Sequence, residues 1–276
     1  MEFLRHIFDF DSDSPLLFTQ FYFWAFFALV YSVFAIIMEV GSRGAQEKGR
    51  NTRLHLRNIF LLAVSWFFYY KTSGLFLLIL VFITLSDWLI AERIHNAKIE
   101  KRETRAKWWL TLSVVIDLGL LCYFKYAYFF TNVVNDLLGT EFMVFDIFAY
   151  IGNGLSASGR FMVDSIILPV GISFYLFQVM SYTIDVYRGQ VKPVKSILDF
   201  GFYVSFFPSL VAGPIVRANE FIPQLYRPFR LSRRLAGLAV FWILNGLIKK
   251  IVLSDYLAIN LIDRVFENPL LFSGFE

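Results

Sequence analysis

Residues 168–189 read LPVGISFYLFQVMSYTIDVYRG, and the reading of this stretch decides the fold. It is long and apolar enough to enter a bilayer, yet it carries Tyr175, Gln178, Tyr182 and Asp185. On a helix these positions fall at i, i+3, i+7 and i+10, so they line one face. A polar group turned toward lipid has no water to hydrogen-bond, and the cost is several kcal/mol. The stripe is therefore expected to face protein or a wet cavity. An ionisable residue at that depth, such as Asp185, marks a functional site by default.

Composition points the same way. The chain is 57% hydrophobic and 17% charged, where soluble domains run at about 45–50% and about 25%. Several apolar runs reach membrane-spanning length. The expected class is all-α: a polytopic membrane helical bundle, with residues 1–276 forming one integral-membrane domain. The net charge of +4 is not a nucleic-acid signal, because no basic face interleaved with exposed aromatics appears and the basic residues gather near span ends, where they set topology. The single cysteine, Cys122, excludes an intrachain disulfide and a cysteine-rich metal site. Lying in an apolar run, it is expected to be a buried, inert thiol. No zinc-type histidine spacing, glycine-rich phosphate loop or Ser/His/Asp set emerges. Residues 1–15 lack the basic start and small-residue cleavage site of a signal peptide. They open instead on an amphipathic lead, MEFLRHIF, in which His6 reads as an interfacial side chain.

The first span is expected over 16–38, followed by a basic loop with Arg43, Lys48, Arg50, Arg53 and Arg57. The apolar run 59–70 is short against the about 20 residues a span needs. It should begin near Leu54, with Arg57 at its edge snorkelling outward. A Lys-Thr-Ser-Gly turn at 71–74 leads to a third span over 75–91, then to a second basic loop with Arg93, Lys98, Lys101, Arg102, Arg105 and Lys107. The fourth span covers 108–130, with Trp108 and Trp109 as an interfacial anchor and Lys125 snorkelling. The loops 43–57 and 93–107 read as cytoplasmic. The N-terminus and the acidic region 131–165, with its flexible run GNGLSASG at 152–159, read as external. The stripe segment then returns the chain to the cytoplasm at Arg188, Lys192 and Lys195.

Beyond it the alternation fails. The run 197–216 is basic on both flanks and interrupted by Pro208 and by Gly213-Pro214. Proline removes a backbone donor and disturbs a helix, so a re-entrant or broken segment is expected. The run 235–248, only 14 residues between Arg233-Arg234 and Lys249-Lys250, poses the same problem. Irregular backbone at membrane depth is tolerated only inside protein or beside water. The second half of the chain should therefore be the functional core.

The stripe segment and FPSLVAGPIVRANEFIPQL at 207–225 together resemble the membrane-bound O-acyltransferase family, in its bacterial alginate O-acetyltransferase-like branch. GLIKKIVLSDYLAINLIDRVF at 246–266 is also family-like, and the resemblance covers roughly residues 54–270. It implies acyl transfer from a thioester donor, commonly acetyl-CoA on the cytoplasmic side, to a hydroxyl of an extracytoplasmic polysaccharide or cell-wall polymer. The donor is a substrate, and no bound cofactor or metal is implied. An SGNH-type acetyltransferase outside is an implied partner, alongside the bilayer and the acyl donor, in the inner (cytoplasmic) membrane. Such chemistry needs an embedded tunnel, a base and oxyanion donors. The resemblance places the catalytic histidine after the core motifs, whereas this chain has only His6, His55 and His95. It therefore reads as the N-terminal portion of a longer enzyme, with no catalytic residue of its own and no activity alone.

On this reading Tyr175, Gln178, Tyr182, Asp185, Pro214, Arg217 and Glu220 line the substrate path. Gln178, Tyr182 and Asp185 fit equally well as inter-helix hydrogen bonds, and Asp185 with Arg188 as an ion pair at a helix end. Arg217 faces donor phosphates or anchors topology. Arg227, Arg230, Arg233 and Arg234 read as topology signals or headgroup contacts, His55 and His95 as solvated loop residues, and Asp87 and Asp117 as polar contacts between spans. The rival class is a membrane transporter or channel-like protein, which also uses broken helices and intramembrane polar residues. Internal repeats would favour it, and none is seen.

Overall fold

A computed structural model describes residues 21–40, 47–150, 164–210, 213–227 and 231–267, with 271 and 273. The amphipathic lead with His6, the start of the first span, Arg43, Arg230 and the 152–159 run lie outside the described residues. All regular structure among the described residues is helical: α1 (Phe21–Val40), α2 (Glu47–Ser73), α3 (Leu77–Ile99), α4 (Glu103–Leu138), α5 (Ile172–Tyr187), α6 (Ile197–Ser205), α7 (Phe207–Leu210), α8 (Ala218–Leu225), α9 (Arg233–Ile248) and α10 (Asp263–Glu267). Four stretches are long and apolar enough to cross a membrane: Phe21–Met38, Leu54–Ile99, Glu103–Leu138 and Arg233–Glu267. The protein is an all-α membrane protein.

The chain divides into two compact units, Ser32–Arg227 and a smaller one that includes Pro228–Glu276. In the larger, α3 is the centre. Its buried positions Leu80, Ile83, Asp87, Ile90, Ile94 and Ala97 recur at three- and four-residue steps, the period of one helix face. Its other face shows Leu78, Phe82, Leu85 and Leu89 to the outside. Large apolar side chains on the outer face are what lipid contact requires. α4 buries Ala106, Ser113, Asp117, Leu121 and Phe124 against α3 and α5. Cys122 sits one residue past Leu121, about 100° further round the helix, and is exposed. The expectation of a buried thiol fails because an apolar run does not say which flank meets protein and which meets lipid.

The expected basic loop at 93–107 is mostly helix: α3 runs to Ile99, and α4 starts at Glu103. Three residues make the turn. Arg102 N donates to Ala97 O at 2.9 Å, and Lys101 takes the left-handed region at φ 57°.

α5 is the most enclosed element. With 16 residues it is about 24 Å long, short of the about 30 Å hydrocarbon layer, and it packs against α3, α4 and α6. It begins after Gly171 at φ 74°, a conformation that a side chain would strain. α6 is capped by Ser196 Oγ, which accepts from Asp199 N at 3.3 Å, and is buried along its length from Asp199 to Ser205. It breaks at Phe206, where ψ swings to 105°. One turn, α7, follows, and Gly213 N then closes onto Ser209 O at 2.9 Å. A Cβ on Gly213 would stand 2.3 Å from Ser209 Cα, so only glycine fits. The expected break in 197–216 is thus present, built by Phe206, Pro208 and Gly213-Pro214.

In the smaller unit the expected interruption after residue 248 is absent. The helix runs on from Arg233 to Glu267, changing at Lys249–Asp255 and Ala258–Ile262 to π winding. π winding bonds residues five apart, and Lys250 pairs at that spacing with Asp255, so the double lysine sits inside a helix. No residue of α9 is buried.

Candidate functional site

Packing of α5 against α6 brings the four stripe residues onto one buried face. Tyr175 and Tyr182 have no exposed surface, and Gln178 and Asp185 are nearly as enclosed. Gln178 Nε2 donates to Tyr203 O at 2.8 Å. Tyr182 Oη accepts from Val194 N at 2.9 Å, with its ring 4.6 Å from that of Phe200. Tyr203 Oη donates to Val216 O at 2.9 Å, tying α6 to the extended strand of chain before α8. Each bond reaches a backbone group in a segment with no regular helix pairing for it, so the stripe fastens the irregular part of the fold to α5. Inside a bilayer, where apolar surface gains little from burial in protein, such bonds and close packing hold helices together.

Tyr175 differs. Its ring meets that of Tyr69 edge-on, centroids 6.3 Å apart, and the two hydroxyls lie beside each other, with Ser73 beside that of Tyr69, outside close hydrogen-bond geometry. Both side chains are fully enclosed, and the ring pair joins α5 to α2. Asp185 does not pair with Arg188: the carboxylate side of α5 is buried while Arg188, at the C-cap, is exposed. The helix ends between them, and the arginine leaves with the chain.

Pro214, Arg217 and Glu220 are not brought to the stripe. All three are exposed on 213–220, where Arg217 caps α8 through its carbonyl, accepting from Glu220 N and Phe221 N at 3.1 Å each. Their segment is tied to the stripe side through Val216 O on Tyr203 and through the Phe221 ring against that of Tyr203, centroids 5.6 Å apart. An open recess of about 770 Å³ lies elsewhere, at the α3–α4 turn among Lys101, Arg102, Arg105, Trp108 and Trp109. His55 is exposed and His95 half-buried.

A second polar cluster corrects a sequence expectation. Arg57 does not snorkel outward; it is buried, 6% exposed. Its guanidinium donates to Leu225 O, to Arg227 O at 3.3 Å and to Asn58 Oδ1 at 3.0 and 3.2 Å. Asn58 Nδ2 donates to Asp199 Oδ1 at 2.8 Å, and Tyr226 Oη donates to Asp199 Oδ2 at 2.7 Å. The cluster clamps the end of α8 to α2 and α6. Burial, and the Asp199 carboxylate that its hydroxyl serves, push the Tyr226 phenol above its ordinary range. Carbonyls carry no sequence signature, so inward bonding was not legible from Arg57 itself. A third cluster joins Asp87, Ser113, Asp117 and Thr183. The spacing of Ser113 and Asp117, four residues apart on one helix face, was the available signal.

Together these features define an all-helical membrane protein whose broken stretch 188–227 is stitched to the bundle by buried polar groups. In sequence the chain is related to the bacterial alginate O-acetylases. It is 37% identical over 203 residues to the probable alginate O-acetylase AlgI of Azotobacter vinelandii, covering 73% of this chain and 37% of the relative. It is 36% identical over 216 residues to that of Pseudomonas aeruginosa, covering 77% and 38%. The peptidoglycan O-acetyltransferase of Helicobacter pylori is 27% identical over 223 residues, covering 71% and 38%. The resemblance to the bacterial branch of the membrane-bound O-acyltransferases thus stands on named relatives, although the chain spans less than half of their length. No protein-family model matches the chain, and no solved structure matches it significantly.

Proposed function

We propose that this chain is part of a membrane O-acyltransferase of the inner membrane. It would move an acetyl group from a cytoplasmic thioester, acetyl-CoA or a like donor, toward hydroxyls of an extracytoplasmic polysaccharide. The observation that carries this reading is the match to alginate O-acetylases over 203 residues, 73% of this chain. In the reaction an acceptor oxygen attacks the thioester carbonyl. The ester forms, the C–S bond breaks, and the acceptor's proton ends on the departing thiol. On this reading the chain's share is the chamber wall: α5 and α6 would exclude lipid and water, and the Tyr175 and Tyr69 hydroxyls would donate to an acyl carbonyl oxygen. The proton-moving base would come from outside residues 1–276, since neither described histidine is buried, and the chain alone would be inactive. Final transfer by an SGNH-type acetyltransferase outside belongs to the same proposal.

The test joins this chain to the remaining C-terminal portion of the Pseudomonas aeruginosa relative in a host lacking its own alginate O-acetylase. Acetyl esters on the secreted polymer are expected from the chimera and not from the chain alone. If the chimera reaches the membrane intact and forms no ester while the whole relative does, the reading fails.

A further inference from the structure

The back of α5, away from the stripe, carries a feature that acyl transfer does not use. Asp87 on α3, Ser113 and Asp117 on α4 and Thr183 on α5 all have no exposed surface. Ser113 Oγ donates to Asp87 Oδ1 at 2.6 Å and lies 3.1 Å from Thr183 Oγ1, whose own hydrogen goes to Met180 O at 3.0 Å. No donor reaches Asp87 Oδ2 or either oxygen of Asp117, and the two carboxyls are close enough to interact. Two carboxylates side by side in a membrane bundle, with no ion pair to a basic side chain among the described residues, cannot both stay charged without a cation. The Tyr182 hydroxyl on α5 serves Val194 N at 2.9 Å, Ser86 on α3 gives its hydrogen to Ile83 O at 3.0 Å, and Asp199 on α6 is engaged by Asn58 and Tyr226.

We propose that Asp87, Asp117, Ser113 and Thr183 form a buried site for one monovalent cation, a proton or a sodium ion, that holds α3, α4 and α5 together. The donor set is all oxygen, which suits hard cations and excludes the soft metals that thiolate or imidazole would select. A shared proton satisfies Asp87 Oδ2 and one oxygen of Asp117. A sodium ion can lie against the remaining oxygen as well. Either fixes the back of α5 while its front carries the stripe, so occupancy sets how firmly the stripe is held.

The experiment uses the purified chain in detergent micelles, as wild type, Asp87→Asn, Asp117→Asn and the double variant. Infrared spectra at neutral pH report protonated carboxyl groups. Melting temperature is followed against NaCl, with choline chloride holding ionic strength constant. A carboxylic-acid band in the wild type that the double variant loses, with no sodium response, assigns the proton. A melting temperature that rises by about 5–10 °C at saturating sodium, in the wild type and not in Asp117→Asn, assigns sodium. Should the double variant fail to fold, the single variants and the wild-type sodium titration still decide. Absence of both the band difference and the sodium response overturns the proposal.

Discussion

Replacing Arg57 by Met separates the inward, clamping arginine from a snorkelling one by magnitude alone. Methionine keeps the apolar stem and removes the guanidinium. The structure then loses the bonds to Leu225 O, Arg227 O and Asn58 Oδ1, and Asp199, 1% exposed, loses the nearby positive charge. Hydrogen bonds to a charged group contribute about 1.5–3 kcal/mol each, and removing one partner from a buried charge cluster costs about 3–5 kcal/mol. We take about 3–5 kcal/mol for the whole change, since the two figures describe the same loss. At about 2–4 °C per kcal/mol for a chain of this size, thermal unfolding in micelles should fall by about 10 °C, followed by tryptophan fluorescence. A snorkelling side chain would move stability by no more than about 0.5 kcal/mol. Arg57→Lys should fall between, because a single ammonium cannot span both carbonyls. A shift under about 2 °C for Arg57→Met refutes the clamp.

Three further substitutions probe the irregular half. Gly213→Ala puts a methyl 2.3 Å from Ser209 Cα and should cost about 1–3 kcal/mol, read as a lower melting temperature. Tyr182→Phe leaves Val194 N without its acceptor, for a loss of about 1–3 kcal/mol; proteolysis in the segment after α5 should speed up with it. Tyr226, whose phenol is held above the ordinary value of about 10, should stay neutral when unperturbed tyrosines ionise. Because the folded form keeps its proton longer than the unfolded form, its contribution is whole below about pH 10 and is lost as pH rises further. Tyrosinate absorbance should therefore be the same for wild type and Tyr226→Phe through pH 10, and an early loss of signal on substitution would contradict it.

What could be read from the chain and what could not divides along one line. Periodicity exposes a helix face, so the stripe of α5 was legible from Tyr175, Gln178, Tyr182 and Asp185. Proline and glycine punctuate the backbone, so the break near Pro208 and Gly213-Pro214 was legible too. Partnership was not. Arg57 bonds carbonyls 168 and 170 residues away, and a carbonyl is the same at every position. Cys122 turns outward because the side of α4 that meets protein depends on where α3 and α5 lie. The double lysine at 249–250 looks like the end of a helix until its Asp255 partner, one π turn on, is seen. Of the candidate lining residues, the four on α5 came together, whereas Pro214 and Arg217 on the irregular stretch before α8 and Glu220 in the first turn of α8 did not, since no period governs where an irregular stretch points or how the short helix after it is set.

The stripe itself now divides by the state of its bonds. Gln178 and Tyr182 are committed to backbone partners, so their first duty is to hold the bundle, and replacing either disturbs the fold before it can disturb chemistry. Tyr175 has no such bond. Its hydroxyl faces only that of Tyr69, outside close hydrogen-bond geometry, so Tyr175→Phe should leave stability unchanged or slightly higher. Under the proposed chemistry the same change removes a donor to the acyl carbonyl, and loss of one such donor lowers turnover by about 100- to 1,000-fold. The chimera carrying Tyr175→Phe should therefore be at least as stable as its parent and far poorer at forming acetyl esters. A melting temperature lower by more than about 2 °C would mean that the hydroxyl is bonded after all. Unchanged ester formation at full stability would mean that it faces nothing that reacts.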